Sequence, residues 1–251
     1  MSNEAHIPAV VSREEWLRAR KELLSKEKEF TRQRDALSAE RRKLPMVKIE
    51  REYIFEGPAG RVNLRDLFGN HRQLIVYHFM FDPAWEEGCR GCSYVMDNSE
   101  GSIVHLAARN TAFVAVSRAP LAKLEAFKKR MGWSFPWVSS FSSDFNYDFN
   151  VTLDPEKGGY EHNFESVPAL LAAGKVCTQK GEMPGLSVFL REGNSVYHTY
   201  STYQRGLDLF LNTYNFLDLT PLGRQEEPGQ KMAWLRHHDK YPAIVGLNVS
   251  A

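Results

Sequence analysis

Two short apolar segments separated by helical sequence narrow the choice of folds for this chain. Residues 73–81 (QLIVYHFMF) and 111–116 (TAFVAV) each have the length of a buried strand. The first is apolar on both faces, which is typical of a central strand covered by helices on each side. Helical patterns follow at residues 92–110, with a bend at Gly101, and at residues 121–131. This order predicts two parallel strands joined by a right-handed crossover, in an α/β fold whose mixed central sheet is flanked by helices.

The N-terminal region has the pattern of one long helix. Ser12 followed by Glu15 fits a capping box, so a helix is expected to begin there, and Pro45 ends it. Apolar side chains then recur every seventh residue, at Trp16, Leu23, Phe30 and Leu37. A sustained coiled coil would need a second apolar row, so we expect a helix that lies across the domain or a partner subunit. A homo-oligomer formed through this helix is therefore among the partners considered.

Shorter patterns predict the remaining elements. They are a strand at 53–55, a short or edge strand at 133–140, a long ordered loop at 140–159, a hairpin at 186–200 and a helix at 206–217. The aromatic side chains of residues 141–149 are expected to pack on the core, with a substrate groove as the alternative. The chain is thus divided into an N-terminal helical extension (residues 1–45), an α/β domain (46–225) and a C-terminal tail (226–251).

Charge and hydropathy argue against two classes of partner. The 32 basic and 31 acidic residues leave a formal net charge of +1, so the attraction that drives binding to nucleic acid or an anionic membrane is missing. No apolar segment approaches the roughly 18 residues of a membrane-spanning helix. The first residues lack the basic and apolar regions of a secretory signal. The protein is therefore expected in the cytoplasm, without nucleic-acid or membrane partners.

Two of the three cysteines, Cys89 and Cys92, form a Cys-x-x-Cys motif. In a reducing compartment such a pair is typical of catalysis or metal binding rather than of a structural disulfide. The motif follows a buried strand and opens a predicted helix, whose N-terminus stabilises a thiolate. The spacing also lets Cys92 attack a mixed disulfide formed at Cys89. The charge of Arg90 favours the thiolate, whereas Glu86 and Glu87 oppose it.

Other interpretations of the cysteine pair have less support in the sequence. A tetrahedral zinc site needs two further ligands, but Cys177 is isolated and His237 and His238 lack the spacing of a ligand pair. A c-type haem is excluded because Ser93 stands where its histidine ligand would be. We therefore expect no metal, and no cofactor besides a redox-active disulfide between the paired cysteines. Two inert buried cysteines are the alternative.

The order of strand, loop, tryptophan, Cys-x-x-Cys and helix in LIVYHFMFDPAWEEGCRGC resembles thioredoxin. Over roughly residues 8–240 the chain is identified as a member of a bacterial thioredoxin-like family, domain of unknown function 899, described as predicted dithiol–disulfide oxidoreductases. The segments that carry this resemblance are RKELLSKEKEFTRQRDALSAERRKLP, FMFDPAWEEGCRGCSYVMDN, VSRAPLAKLEAFKKRMGWSFPWVSS, SSDFNYDFNV, GLSVFLREG and HTYSTYQRGLD. The resemblance implies a thioredoxin-like fold for residues 46–225 and a thiol–disulfide oxidoreductase that cycles through Cys89 and Cys92.

The resemblance to thioredoxin also implies roles for further residues. Trp85 corresponds to the tryptophan that precedes the motif, although three residues separate it from Cys89. Pro184 matches the cis-proline beside the dithiol, with an ordinary turn proline as the alternative. Tyr77 stands where thioredoxin has a buried acid, so His78 is the nearest titratable substitute, with a core histidine as the alternative.

Two other functions stay open at the level of sequence. Residues 55–68 and 114–130 resemble peroxiredoxins, but Pro83 lies six residues before Cys89, and neither cysteine has Thr or Ser three residues ahead of it. The usual activating motif of a thiol peroxidase is therefore missing. A thioredoxin-like binding module with a non-catalytic Cys-x-x-Cys motif is the other alternative. For a redox enzyme, the expected partner is a protein or small-molecule thiol or disulfide.

Overall fold

The computed structural model describes residues 7–157, 160–175 and 177–242 of the chain. The strands are β1 (Val47–Lys48), β2 (Ile54–Gly57), β3 (Gly60–Asn63), β4 (Gln73–His78), β5 (Thr111–Ser117), β6 (Trp137–Ser139), β7 (Thr152–Leu153), β8 (Glu161–His162), β9 (Glu165–Ser166), β10 (Gly181–Glu182), β11 (Gly185–Glu192) and β12 (Ser195–Tyr203). Within these ranges the main sheet has eight strands in the order β1-β12-β11-β4-β5-β6-β2-β3. The remaining strands form two small pairs, β7 with β10 and β8 with β9.

Helices connect and cover these strands. They are α1 (Arg13–Arg41), α2 (Arg90–Ser99), α3 (Ile103–Ala107), α4 (Leu121–Arg130), α5 (Phe145–Asp148), α6 (Val167–Ala172) and α7 (Asn212–Leu217). Helices α2 and α4 follow β4 and β5, as predicted. A 3-10 turn at Glu100–Ser102 separates α2 from α3, so the bend expected at Gly101 is confirmed.

The centre of the sheet is the pair of strands that the sequence predicts. Residues 73–78 of β4 pair in parallel with residues 111–116 of β5. On the other side of β4, the predicted hairpin of β11 and β12 adds two antiparallel strands. The sheet is therefore mixed and flanked by helices, as expected. A βαβ unit continued by an antiparallel hairpin is a thioredoxin-like fold, and the N-terminal helix extends it.

Alternating side chains of β4 divide the core into two layers. Val76 points to one face of the sheet and packs with Phe145 and Phe149. These two rings belong to the aromatic loop, so the expectation that this loop packs on the core is confirmed. Tyr77 points to the opposite face, where Cys92 and the apolar side of α2 lie. This second layer is called the Tyr77 face below, and it carries the cysteine pair.

Three elements differ from their predicted form. The segment predicted as a loop, residues 140–159, contains α5 and β7. Strand β6 is short, as expected, but it lies between β5 and β2 rather than at an edge. Pro136 precedes the strand, and its carbonyl accepts a hydrogen bond from Ala115 N at 2.9 Å, so the proline does not interrupt the pairing. The helix predicted at 206–217 is instead a 3-10 helix, Gln204–Phe210, followed by α7. The break arises because Leu211 leaves the helical backbone conformation, with φ −98° and ψ 67°.

Helix α1 begins with the predicted capping box. Ser12 Oγ accepts a hydrogen bond from Glu15 N at 3.2 Å, and the Glu15 carboxylate accepts one from Ser12 N at 3.0 Å. No residue of α1 is buried, so the expectation that it lies across its own domain is wrong. Its apolar row stays exposed, with Trp16 at 46% and Phe30 at 66%, and a homo-oligomer through this row stays a prediction.

Across the described ranges, no helix combines the length and the apolar character needed to cross a membrane.

Candidate functional site

The loop that leaves β4 holds Cys89 at the N-terminus of α2. Phe79 N donates a hydrogen bond to the Val116 carbonyl at 2.9 Å, which extends the pairing of β4 beyond the strand. The loop then turns back, and Cys89 N donates to the Met80 carbonyl at 3.0 Å. Cys89 is the N-cap of α2, with φ −57° and ψ 132°. Its thiol therefore lies beside the free N–H groups of the first helical turn.

The Cys89 thiol is half-buried and acidic. A hydrogen bond from the Cys92 thiol is the largest cause, and the N–H groups of Cys92 and Gly91 and the charge of Arg90 act in the same direction. Together they lower the pKa of Cys89 to about 6, against the opposing effect of burial. At neutral pH, Cys89 is therefore mainly a thiolate, the form that attacks disulfides.

Cys92 has the opposite character. Its side chain is 1% exposed, and Met80 N donates a hydrogen bond to its sulfur at 3.3 Å. Burial raises the pKa of Cys92 well above its ordinary value, and the neighbouring Cys89 thiolate adds to this. The Tyr77 hydroxyl acts weakly in the other direction. Since burial also raises the pKa of Tyr77, this residue is a neutral phenol and not a substitute for a buried acid.

The difference between the two thiols predicts the pH dependence of alkylation. In a Cys177→Ser background, we expect the rate of modification of Cys89 by iodoacetamide to rise through a midpoint near pH 6 and then level off. The reason is that only the thiolate reacts, and it forms as pH rises through the pKa. An ordinary thiol has its midpoint near ~8.5. Mass spectrometry of the modified peptide gives the rate, and a midpoint near that ordinary value would contradict the assigned environment of Cys89.

Cys89 opens into a cavity on the Tyr77 face. The cavity has a volume of about 320 Å³. Its lining comprises Tyr77, Met80, Cys89, Gly91, Cys92, Val95, Pro184, Gln204, Arg205, Leu207, Asp208, Leu211 and Met232. Both cysteines therefore border one cavity, which is large enough for a small substrate.

Of three further residues suggested by the sequence, Pro184 lines this cavity, whereas Arg90 and Trp85 do not. Pro184 lines it beside Cys89, but every described peptide bond is trans, so the alternative of an ordinary turn proline applies. Arg90 donates a hydrogen bond from Nη1 to the Leu235 carbonyl at 3.0 Å. Trp85 packs on the core of the Tyr77 face without lining the cavity.

His78 lies on the far face of the sheet from both cysteines, so its expected role as a substitute for the buried acid is wrong. Its Nε2 is 2.8 Å from Ser187 Oγ, and its ring stacks on Phe149 with centroids 5.9 Å apart. Burial is the main reason that the pKa of His78 falls to about 3, so the imidazole is neutral at physiological pH. The alternative interpretation, a core histidine with a hydrogen-bond partner, describes what the structure contains.

Sequence reasoning missed the part of the C-terminal tail that covers the site. Residues 226–242, called the C-terminal segment here, pack against the first turn of α2. His237 is 2% exposed and its Nε2 donates to the Gly88 carbonyl at 2.8 Å. Leu235 is buried, and Met232 forms part of the cavity wall. The apolar run from Met232 to Leu235 was the available signal. Large apolar side chains in a tail indicate that this part of the tail is buried rather than solvated.

The acidic residues beside the motif do not oppose the Cys89 thiolate in the way that the sequence suggests. Glu87 Oε1 lies 2.7 Å from Lys240 Nζ and 2.6 Å from Arg130 Nη1. These two cations lower the pKa of Glu87 and compensate its negative charge. Glu86 is exposed to solvent, where its charge is screened.

The third cysteine lies apart from the pair in the chain. Cys177 is half-buried and carries a free thiol. In the described part of the chain, no group of three or more His, Cys, Asp or Glu side chains is arranged to hold a metal ion. The thiols that line the cavity are those of Cys89 and Cys92.

Several solved structures have a similar shape. Peroxiredoxin Q from Xanthomonas campestris is 18% identical, with 64% of this chain and 87% of that chain covered and a TM-score of 0.43. Peroxidoxin BcpB from Mycobacterium tuberculosis is 12% identical, with 68% and 95% covered and a TM-score of 0.42. Thioredoxin peroxidase I from Plasmodium yoelii is 14% identical, with 70% and 88% covered and a TM-score of 0.40. Identities and TM-scores this low carry no conclusion about the activity of this chain.

Sequence comparisons give a family but no characterised relative. No curated protein matches the chain significantly. A family model, described as a bacterial protein of unknown function (DUF899), matches residues 5–241. These residues include the cysteine pair, the cavity and almost all of the C-terminal segment. The chain therefore belongs to the DUF899 family of bacterial proteins.

Proposed function

We propose that this protein is a thiol–disulfide oxidoreductase that cycles between a Cys89/Cys92 dithiol and the corresponding disulfide. The observation that carries the proposal is the contrast between the two thiols at the start of α2. Cys89 borders the cavity and has a pKa of about 6, whereas Cys92 is buried and its pKa is raised. An accessible thiol with a low pKa is suited to attack, and a buried neighbouring thiol is suited to resolve the mixed disulfide.

The reaction proceeds through a mixed disulfide. The Cys89 thiolate attacks one sulfur of a substrate disulfide, the substrate S–S bond breaks, and one thiolate leaves. The leaving thiolate or solvent takes the proton of Cys92, whose sulfur then attacks the Cys89 sulfur. A Cys89–Cys92 disulfide forms and the second substrate thiolate departs. Two protein thiols are oxidised and one substrate disulfide is reduced, and a dithiol reductant reverses the change in the protein.

Arg90, inside the motif, and Pro184, in the cavity wall, support this chemistry by position. The Arg90 charge stabilises the Cys89 thiolate, while its hydrogen bond to the Leu235 carbonyl fixes the guanidinium near the helix start. Pro184 forms part of the cavity wall beside Cys89 and is proposed to contact the substrate. His78 and Trp85 are not part of the proposed mechanism.

A redox titration tests the proposal. The Cys177→Ser protein is equilibrated in glutathione buffers of different redox potential, with a trace of bis(2-hydroxyethyl) disulfide as mediator. The free thiols of the protein are then counted by mass spectrometry. We expect a reversible two-electron transition that is lost in both Cys89→Ser and Cys92→Ser. Unreactive thiols at neutral pH would contradict the proposal and favour a binding module. Rapid consumption of hydrogen peroxide without disulfide exchange would replace it with a thiol peroxidase.

A further inference from the structure

The chemical character of the cavity limits what can reach Cys89. Apart from the cysteines and Tyr77, its wall is built mainly from apolar side chains: Met80, Val95, Leu207, Leu211 and Met232. Val95, Leu207 and Leu211 belong to the buried core of the Tyr77 face, so this part of the wall is fixed. Met80 and Met232 are only partly buried and have flexible, polarizable side chains that adapt to different apolar shapes. The wall therefore favours an apolar ligand.

The charged residues of the lining do not offer a site for an anion. Arg205 Nε donates a hydrogen bond to Asp208 Oδ2 at 2.7 Å, so the one cation of the lining is paired with its one anion. Arg90 lies outside the lining. A carboxylate brought into this cavity would lose its hydration against an apolar wall and would have to compete with Asp208 for Arg205, which is unfavourable.

The position of Cys89 also separates small substrates from protein substrates. The thiol is half-buried, at the wall of a cavity of about 320 Å³. The C-terminal segment contributes Met232 to the same wall, and Gly91 of the motif, which has no side chain, also lines it. A folded protein is too large for the cavity and can present a disulfide only at its opening, where the half-buried thiol is harder to contact. A small molecule enters without that obstacle.

From these observations we infer that the substrate is a small, uncharged, apolar disulfide rather than glutathione disulfide or a protein. The inference rests on the proposed function and names its substrate class. The exchange has the balance given above: Cys89 and Cys92 lose two electrons as their disulfide forms, and the apolar disulfide becomes two thiols. A dithiol reductant restores the protein, and the apolar groups of the substrate occupy the space between Met80 and Met232.

Disulfides of matched shape test the inference. Reduced Cys177→Ser protein is mixed with diisopentyl disulfide, dithiodipropionamide or dithiodipropionate, and oxidation is followed by counting the remaining thiols of the protein by mass. Each rate is divided by the rate of the same probe with a small reference thiol, which removes differences in intrinsic reactivity. We expect the hydrocarbon to react faster than the dianion by about tenfold or more, with the amide between them, because only the hydrocarbon gains from burial. Insulin, as a protein disulfide, is expected to react more slowly than the hydrocarbon.

A charge placed in the wall provides a matched variant. Met232 lies in the C-terminal segment and is only partly buried, so Met232→Lys places a cation beside the cavity without removing a core side chain. We expect this variant to reduce the preference for the hydrocarbon over the dianion by about tenfold. Met232→Leu should keep the preference of the wild-type protein. The wild-type comparison of probes decides the question even where a variant does not fold.

The outcomes separate the two proposals. Equal normalised rates for the three probes, or insulin reacting fastest, would overturn the apolar substrate class while leaving a working dithiol couple. Absence of the two-electron transition in the glutathione titration would overturn the oxidoreductase itself. A Met232→Lys variant that folds and keeps the wild-type preference would show that the cavity does not bind the substrate, and would also overturn the inference.

Discussion

Replacing Cys92 by Ser is expected to convert the protein from a catalyst into a trap for its substrate. Cys89 still attacks, but the internal thiol that resolves the mixed disulfide is gone. Because Cys92 is held next to Cys89 and competes with solution thiols from a high effective concentration, its loss should lower turnover by roughly a thousandfold or more. Intact-mass spectrometry should show one substrate fragment per chain on Cys89.

Cys92→Ala is the matched control, since it also removes the resolving thiol but keeps no hydrogen-bond donor. The bond from Cys92 is the largest cause of the lowered pKa of Cys89. We therefore expect both variants to trap substrate, and only Cys92→Ala to shift the alkylation midpoint of Cys89 to higher pH. Turnover close to the wild-type rate in both variants would mean that Cys92 is not the resolving thiol.

Gly88→Ala is expected to destabilise the protein although it adds a single methyl group. A Cβ at Gly88 would lie 2.7 Å from the Phe79 ring and 2.9 Å from the Phe127 ring. Both rings are buried in the core of the Tyr77 face, so they cannot move aside cheaply. Overpacking of this kind costs about 1–3 kcal/mol. Urea denaturation should show that loss in the free energy of unfolding.

Gly91→Ala is the control for this second experiment. A Cβ there would lie 3.7 Å from Cys89 Sγ and 3.8 Å from Met232 Cε, which are ordinary contacts. Alanine is also the better helix former. We expect Gly91→Ala to retain the stability of the wild-type protein or to exceed it by up to about 1 kcal/mol. Equal stability of the Gly88 and Gly91 variants would contradict the close packing described around Gly88.

The features that the sequence predicted correctly are those with a local signal. The capping box of α1, the break at Gly101 and the hairpin of β11 and β12 follow from patterns within short segments. The parallel pairing of β4 with β5 follows from the order of strand, helix and strand. Cys89 belongs to this group, because a motif between a buried strand and a helix places it at the helix N-terminus. The position of Cys89 at the start of a helix could therefore be predicted without the structure.

The sequence could not predict in the same way which side chains of β4 point to which face of the sheet. Both of its faces are buried, so the period of two that normally separates inside from outside is absent from the sequence. Tyr77 and His78 are neighbours, and either could have faced the cysteines. The structure places Tyr77 beside Cys92 and His78 on the other layer, which removes the His78 imidazole from the site.

Long-range contacts account for the other differences. Nothing near His237 in the sequence indicates that it bonds to the Gly88 carbonyl. The interior position of β6 likewise depends on β2, which comes far earlier in the chain and pairs through Glu56 and Ser139. Such contacts depend on the tertiary packing as a whole. They produce no periodic sequence pattern in the segments that form them.

The contacts of the C-terminal segment determine when, during synthesis, the site becomes complete. Arg90 and the Leu235 carbonyl that it bonds are 145 positions apart, and Gly88 and His237 are 149 apart. A ribosome produces the chain from its N-terminus, so Cys89 is made long before the residues that close its cavity. The Cys89 thiol reaches its final surroundings only after residue 237 has been made, and a product that ends before residue 226 would carry the cysteine pair without Met232, Leu235 and His237.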